Sequence, residues 1–123
     1  MSTIKVDNIR IASESVSRPV TGVAAAWVNF NGVGTVAIRD SMNVGSITDS
    51  GTGLYKTNFS SIMAAADYAV SGCIPYASWS VSVPADFYGA AETSSKMQSS
   101  IIEPFQTYYD ANSVYTIAHG ELA

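Results

Sequence analysis

The sequence predicts an all-β fold: a small antiparallel β-sandwich or barrel-like domain preceded by a short N-terminal arm. Three observations lead there. Apolar and polar residues alternate with period two in several runs, which is the signature of a strand with one buried face. Clusters of Asn, Asp, Ser and Gly separate these runs at short intervals. Helical patterning is confined to stretches too short to stand as independent helices.

The first residues differ from the rest. Ile4, Val6, Ile9 and Ile11 sit among Thr3, Lys5, Asp7, Asn8 and Arg10, and residues 12–19 have a linker-like composition. This divides the chain into an arm and connector over 1–22 and a β domain over 23–123. With no evident local hairpin partner, the arm is expected to pair with another chain or to form an edge strand of the domain's own sheet.

Residues 24–30 carry Trp27, Val28 and Phe30 and read as a strand that is apolar on both faces. Asn31-Gly32-Val33-Gly34 follows as a hairpin turn, its glycines supplying positive φ. In 36–42, Val36, Ile38 and Met42 share a face with Asp40, so strict alternation would bury a carboxylate. A bulge or strand end is expected near Asp40. Residues 48–53 read as a turn. In 54–59, Tyr55, Thr57 and Phe59 share one face.

Residues 60–67 suit a single helical turn capped by Ser60 or Ser61. In 68–74, Tyr68, Val70 and Ile74 fall together. Residues 78–83 alternate most cleanly, with Trp79, Val81 and Val83 against three serines, and Trp79 is expected in the core. Residues 97–105 fit a helix or a strand, and Pro104 ends either one. In 114–119, Tyr115, Ile117 and His119 oppose Val114, Thr116 and Ala118. Both faces are largely apolar, as in a central or interface strand.

Composition limits the function classes. The 123 residues suffice for one domain. Charged residues make up 13%, with 6 Lys and Arg against 10 Asp and Glu, for a net charge of −4. So few cations do not neutralise a phosphate backbone, and nucleic acid is not an expected partner. No apolar run reaches the ~20 residues of a membrane span, so no membrane insertion is expected. The N-terminal residues show no apolar signal-peptide core.

Candidate chemistry is sparse. His119 is the only histidine and reads as a strand-end or interface residue rather than a catalytic base. Cys73 is the only cysteine and reads as a small buried hydrophobe. The acids Asp40, Asp49, Asp67, Asp86, Glu92, Glu103 and Asp110 mostly flank turn residues and suggest no paired-carboxylate site. Gly32-Val33-Gly34 lacks the rest of a dinucleotide fingerprint. Asn58-Phe59-Ser60 matches the N-glycosylation pattern, which is common by chance. Tyr76, Trp79, Phe87, Tyr88, Phe105, Tyr108 and Tyr109 concentrate in the second half; Phe87, Tyr88, Phe105, Tyr108 and Tyr109 are expected in loops, as contact surfaces or as local packing. The residues thus point to no catalytic, cofactor-binding or metal site, and leave receptor contacts open.

One stretch carries a resemblance. Ala26-Trp27-Val28-Asn29-Phe30-Asn31-Gly32, Gly34-Thr35-Val36-Ala37-Ile38-Arg39, Ser46-Ile47-Thr48-Asp49 and Gly51-Thr52-Gly53, with Tyr55 and Asn58-Phe59 following, resemble a module of tail fibre proteins of tailed bacteriophages, many from marine and environmental phages. More loosely, Met63-Ala64-Ala65-Ala66-Asp67-Tyr68 is similar to the module's next segment, without its proline. The segment 110–117 is similar to its closing turn and strand, and 2–7 to the short segments that precede it.

The resemblance implies a virion structural protein, a homotrimer, with neither enzymatic activity nor cofactor. The expected role is a short tail fibre or fibre tip for host recognition and adsorption. The alternative is a capsid decoration or baseplate protein without a receptor. The arm would bind other virion proteins, and the domain would meet a host glycan or outer-membrane protein. The expected location is the tail, baseplate or head surface, after synthesis in the host cytoplasm.

Overall fold

The computed structural model describes residues 2–10, 12–13, 15–74, 86–102 and 107–123. The strand expected over 78–83 with Trp79 lies outside them, as do Tyr76, Glu103, Pro104 and Phe105. The described strands are β1 (Asn8–Ile9), β2 (Arg18–Pro19), β3 (Ala24–Asn31), β4 (Ala37–Met42), β5 (Val44–Gly51), β6 (Leu54–Phe59), β7 (Ala69–Cys73), β8 (Asp86–Thr93), β9 (Lys96–Ile102) and β10 (Val114–His119).

Two four-stranded antiparallel sheets pack face to face, in the orders β4-β3-β10-β7 and β5-β6-β9-β8. The fold is therefore a β-sandwich and not a closed barrel. Alternation selects the core. Ala26, Val28 and Phe30 of β3 and Val114 and Ala118 of β10 are buried against Tyr55 and Phe59 of β6 and Met97 and Ile101 of β9. Phe30 meets Tyr55 edge to face, with ring centroids 5.1 Å apart. The Ser99 and Thr116 hydroxyls meet at 3.4 Å across the layers, so two buried polar groups satisfy each other.

The first crossing between the sheets, from β4 to β5, is made at a single residue. Asn43, between β4 and β5, has φ 56°, a left-handed conformation that Asn tolerates better than most residues. Its Oδ1 accepts from the Ser61 N–H at 2.7 Å, and its Nδ2 donates to the Ala25 and Ser61 carbonyls at 3.1 and 3.0 Å. The side chain thereby ties the corner to both layers.

The irregularity expected near Asp40 falls at Arg39. Asn29 pairs with Asp40 and Phe30 with Ile38, which leaves Arg39 as the extra residue. The bulge re-aims its side chain. The guanidinium donates to the Asn112 carbonyl at 2.6 Å and to the Ser113 hydroxyl at 2.9 Å, latching β4 to the segment before β10. Asp40 instead accepts from the Ser41 N–H at 2.9 Å. Arg39→Ala is expected to lower unfolding free energy by about 1 kcal/mol, the net worth of such an exposed pair of bonds. Urea denaturation reads this directly.

Four expectations need correction. The helical turn over 60–67 is absent. Met63 is buried there, its N–H donates to the Ser94 carbonyl at 2.8 Å, and the Ala64 N–H donates to the Glu121 carbonyl at 2.8 Å. One turn cannot satisfy its own end groups, and neighbouring segments do so better. Residues 48–51 extend β5, so the turn shrinks to Thr52–Gly53. Phe87-Tyr88-Gly89 lies within β8, with Phe87 packed against the core. The arm has a local partner after all: β1 pairs with β2 outside both sheets, so it is not an edge strand of the domain.

Candidate functional site

The chemistry-bearing side chains are dispersed. His119 ends β10 and lines a cleft of about 350 Å³ with Asp67, Tyr68 and Glu121. Cys73 ends β7 and is exposed, contrary to the buried position expected of it. Glu92 accepts from the Lys56 ammonium at 2.6 Å, with Lys96 at 4.0 Å. Asp49 accepts from the Gly51 N–H at 3.0 Å, within the register shift at the end of β5. Among the described residues, no group of three His, Cys, Asp or Glu side chains is placed to hold a metal ion.

One polar cluster is tightly built. The Tyr55 hydroxyl lies 2.9 Å from the Gly32 carbonyl and 2.8 Å from Asp110 Oδ1. The same Asp110 oxygen accepts from the Gly53 N–H at 2.7 Å, and the Gly32 N–H donates to the Ala111 carbonyl at 2.9 Å. Burial raises the Tyr55 pKa well above that of a free tyrosine, and the hydrogen bond and charge of Asp110 add to the effect. The phenol is therefore held neutral as a donor. Gly32 is required by close approach rather than by positive φ, because a Cβ there would lie 2.5 Å from the Tyr55 hydroxyl. The cluster joins three turns at one end of the sandwich, and its chemistry is that of a fastening.

The two outer faces differ in kind. On the β5-β6-β9-β8 sheet, Thr48, Lys56 and Gln98 form one cross-strand row and Ser46, Asn58 and Lys96 another. Asn58 Nδ2 bonds the Ser46 and Thr48 hydroxyls at 3.1 and 3.0 Å. On the β4-β3-β10-β7 sheet, one row runs Met42, Trp27, Ile117, Ser71 and the next runs Asp40, Asn29, Tyr115, Cys73. Met42 is 41% exposed, Ile117 39% and Tyr115 37%. Large apolar side chains thus stand in water at the centre of this face. The two-sided apolar character of 24–30 and 114–119 was the sequence signal for it.

The arm stands off the domain. The Val20 N–H donates to the Asp7 carbonyl at 2.9 Å, closing the β1–β2 pair. Ile4 is 86% exposed and Val16 74%. A cleft of about 460 Å³ lies between arm and domain, lined by Val6 and Val20 on one side and Val23, Ala24, Gly120 and Leu122 on the other.

Comparison with protein-family models, with curated proteins and with solved structures finds no match to this chain. The reading of function rests on the residues themselves. The site that sequence reasoning missed is the Tyr55–Asp110 cluster, whose members lie 55 positions apart and share no local pattern.

Proposed function

We propose that this chain is a structural protein of a tailed-bacteriophage particle, a short tail fibre or fibre-tip module that meets the host surface. One observation carries the reading. The separated segments that resemble tail fibre modules (Asn31-Gly32, Gly53 with Tyr55, and the turn at Asp110) converge in the hydrogen-bonded cluster around the Tyr55 hydroxyl. Residues shared with that module type are thus the ones that set the frame. The reading assigns no catalytic group and no cofactor.

The arm suits attachment. Among the described residues its strands pair over Asn8–Ile9 and Arg18–Pro19, and it holds Ile4 and Val16 in solvent. Such a segment gains buried area by docking elsewhere on a particle. Deleting residues 1–17 is expected to leave the domain folded, with a cooperative melt, while removing the protein from purified particles. Quantitative mass spectrometry of the particles reads this. Normal incorporation of the shortened chain contradicts the docking role, and absence of the intact chain from particles contradicts the virion reading as a whole. Binding of the intact assembled protein to host cells supports the adsorption role. Incorporation without any such binding favours the decoration or baseplate role.

A further inference from the structure

We infer that the outer face of the β5-β6-β9-β8 sheet is a carbohydrate-binding surface, and that its occupant is a glycan chain bearing carboxylate groups. The inference rests on the adsorption reading only for the place of that glycan on a host; the binding chemistry belongs to the face itself.

Two tyrosines frame the face. Alternation in β8 turns Phe87 and Ala91 toward the core, which leaves Tyr88 and Ala90 outward. Tyr88 is directly opposite Ser100 of β9. On the other side of β9, Ile102 bridges to Tyr108, which takes the position that β6 vacates beyond Leu54. Tyr109 packs against the core, whereas Tyr108 and Tyr88 are exposed. The two tyrosines stand two strand spacings apart and two residues along, about 12 Å. A tyrosine ring offers a flat apolar face with an electron-rich centre. The C–H face of a sugar ring is its complement, being flat, apolar and weakly positive.

Neutral hydrogen-bonding groups lie between and beside the rings. Ala90 is directly opposite Gln98 and is small, so a sugar lying on Tyr88 reaches the Gln98 amide unobstructed. Gln98 Nε2 donates to the Ser100 hydroxyl at 3.4 Å, and Asn58 Nδ2 to the Ser46 and Thr48 hydroxyls at 3.1 and 3.0 Å. Amides and hydroxyls held in this way exchange water for sugar hydroxyls at little cost. The centre of the face is Gln98, Ser100 and Lys56 rather than an apolar cluster, which disfavours a protein partner.

Charge selects the kind of glycan. Lys56 and Lys96 are the only lysines after residue 22. Arg39, the remaining cation there, is bonded to Asn112 and Ser113. Both lysines stand around one carboxylate, Glu92, at 2.6 and 4.0 Å. This end of the face therefore carries one positive charge in excess, on a chain whose net charge is −4. Asp86 opens β8 opposite Ile102, about 20 Å along the strand from Lys96 and roughly two Debye lengths away in physiological salt. Asp49 is in register with the inward Tyr55 and not in an outward row. A glycan carboxylate thus meets Lys96 while neighbouring rings lie over Gln98 and the tyrosines.

A flat face holds one oligosaccharide weakly, and repeated units on a polymer raise the apparent affinity. The test is native affinity electrophoresis of the full chain in gels containing alginate, polygalacturonate or polysialic acid, with neutral dextran and poly-glutamate as comparisons. At least one of the three acidic glycans is expected to retard the chain, while dextran and poly-glutamate leave its mobility unchanged. Tyr88→Ala and Tyr108→Ala are each expected to raise the apparent dissociation constant about 5- to 10-fold, the worth of one aromatic contact. Lys96→Gln is expected to raise it about 3-fold and to flatten its salt dependence. Tyr115→Ala removes an exposed tyrosine of the other sheet and should change nothing. Urea midpoints of the four variants report that each remains folded. Retardation by none of the acidic glycans, equal retardation by poly-glutamate or dextran, or retardation untouched by both Tyr88→Ala and Tyr108→Ala overturns the inference. Any of these failures leaves incorporation into particles unaffected, and absence of the chain from particles leaves the gel result standing.

Discussion

Tyr55→Ala is expected to destabilise the domain by about 3–5 kcal/mol, the range for emptying a large aromatic site. That is a large part of the total stability of a chain this size. Tyr55 is fully buried, meets the Phe30 ring edge to face, and carries the hydroxyl shared by Gly32 and Asp110. Tyr55→Phe separates these contributions. It keeps the ring and removes the one proton that the phenol directs at the Gly32 carbonyl and Asp110, at a cost of about 1–3 kcal/mol.

The pH dependence provides a second signature. The folded phenol has a raised pKa, with burial as the main cause, while the unfolded one titrates near ~10. Above that pH the unfolded chain loses a proton that the folded chain keeps. Stability contributed by Tyr55 is therefore fully present below pH ~10 and falls above it, with a limiting slope of about 1.4 kcal/mol per pH unit. Tyr68 is raised in the same direction, again mainly by burial, and adds to the slope. Urea titrations at pH 9 and 11 should show a smaller alkaline loss in Tyr55→Phe than in the parent chain. An equal loss in both contradicts the assignment.

Gly53→Ala is the second large effect. Gly53 has φ +66°, and a Cβ there would lie 2.7 Å from the Ile101 carbonyl oxygen and equally close to the backbone N and O of Tyr109. No flexible side chain stands in the way to yield. Two backbone segments must move, and the Gly53 N–H bond to Asp110 moves with them. The expected loss exceeds ~3 kcal/mol, counting left-handed strain of about 1–2 kcal/mol plus displaced packing. Gly34→Ala is the control. Its φ is +67° but no atom lies within 4 Å of the added Cβ, so only the conformational cost of about 1–2 kcal/mol remains. Comparable midpoints for the two variants in urea would contradict the close-approach argument.

Much of the sandwich was legible in sequence because alternation reports burial directly. In 54–59, Tyr55, Thr57 and Phe59 are buried while Leu54, Lys56 and Asn58 face outward. In 114–119, the alternation separated two faces without choosing between them, and Val114, Thr116 and Ala118 are the buried set. The ambiguous 97–105 stretch resolves as a strand over Lys96–Ile102, with Met97, Ser99 and Ile101 inward. Small polar residues masked this alternation, since the partner of the buried Ser99 hydroxyl is Thr116, from the other layer. The β8 strand was hidden for a related reason. Gly89 stands on its inner side, where a Cβ would lie 2.7 Å from a Val70 methyl, and a glycine reads as a turn when its spatial neighbour is unknown. The arm's pairing rests on only two residues in each strand, too few for any periodicity. The Tyr55–Asp110 bond likewise depends on the sheets' mutual placement, which no local window contains.

The strand order has a consequence for synthesis. β3 and β10 are the first and last strands of the sandwich, yet they are neighbours in one sheet. A ribosome releases β3 well before β10 exists. About 80 residues must follow, which takes roughly 4–16 s at ~5–20 residues per second. Throughout that interval β3, with Trp27, Val28 and Phe30, has only β4 beside it, and its other edge is open to any strand nearby. Nascent chains on one messenger are thus most exposed to mispairing through β3. The completed sheet forms only when Val114–His119 emerges, so the emergence of β10, rather than of any earlier strand, commits the domain to its fold.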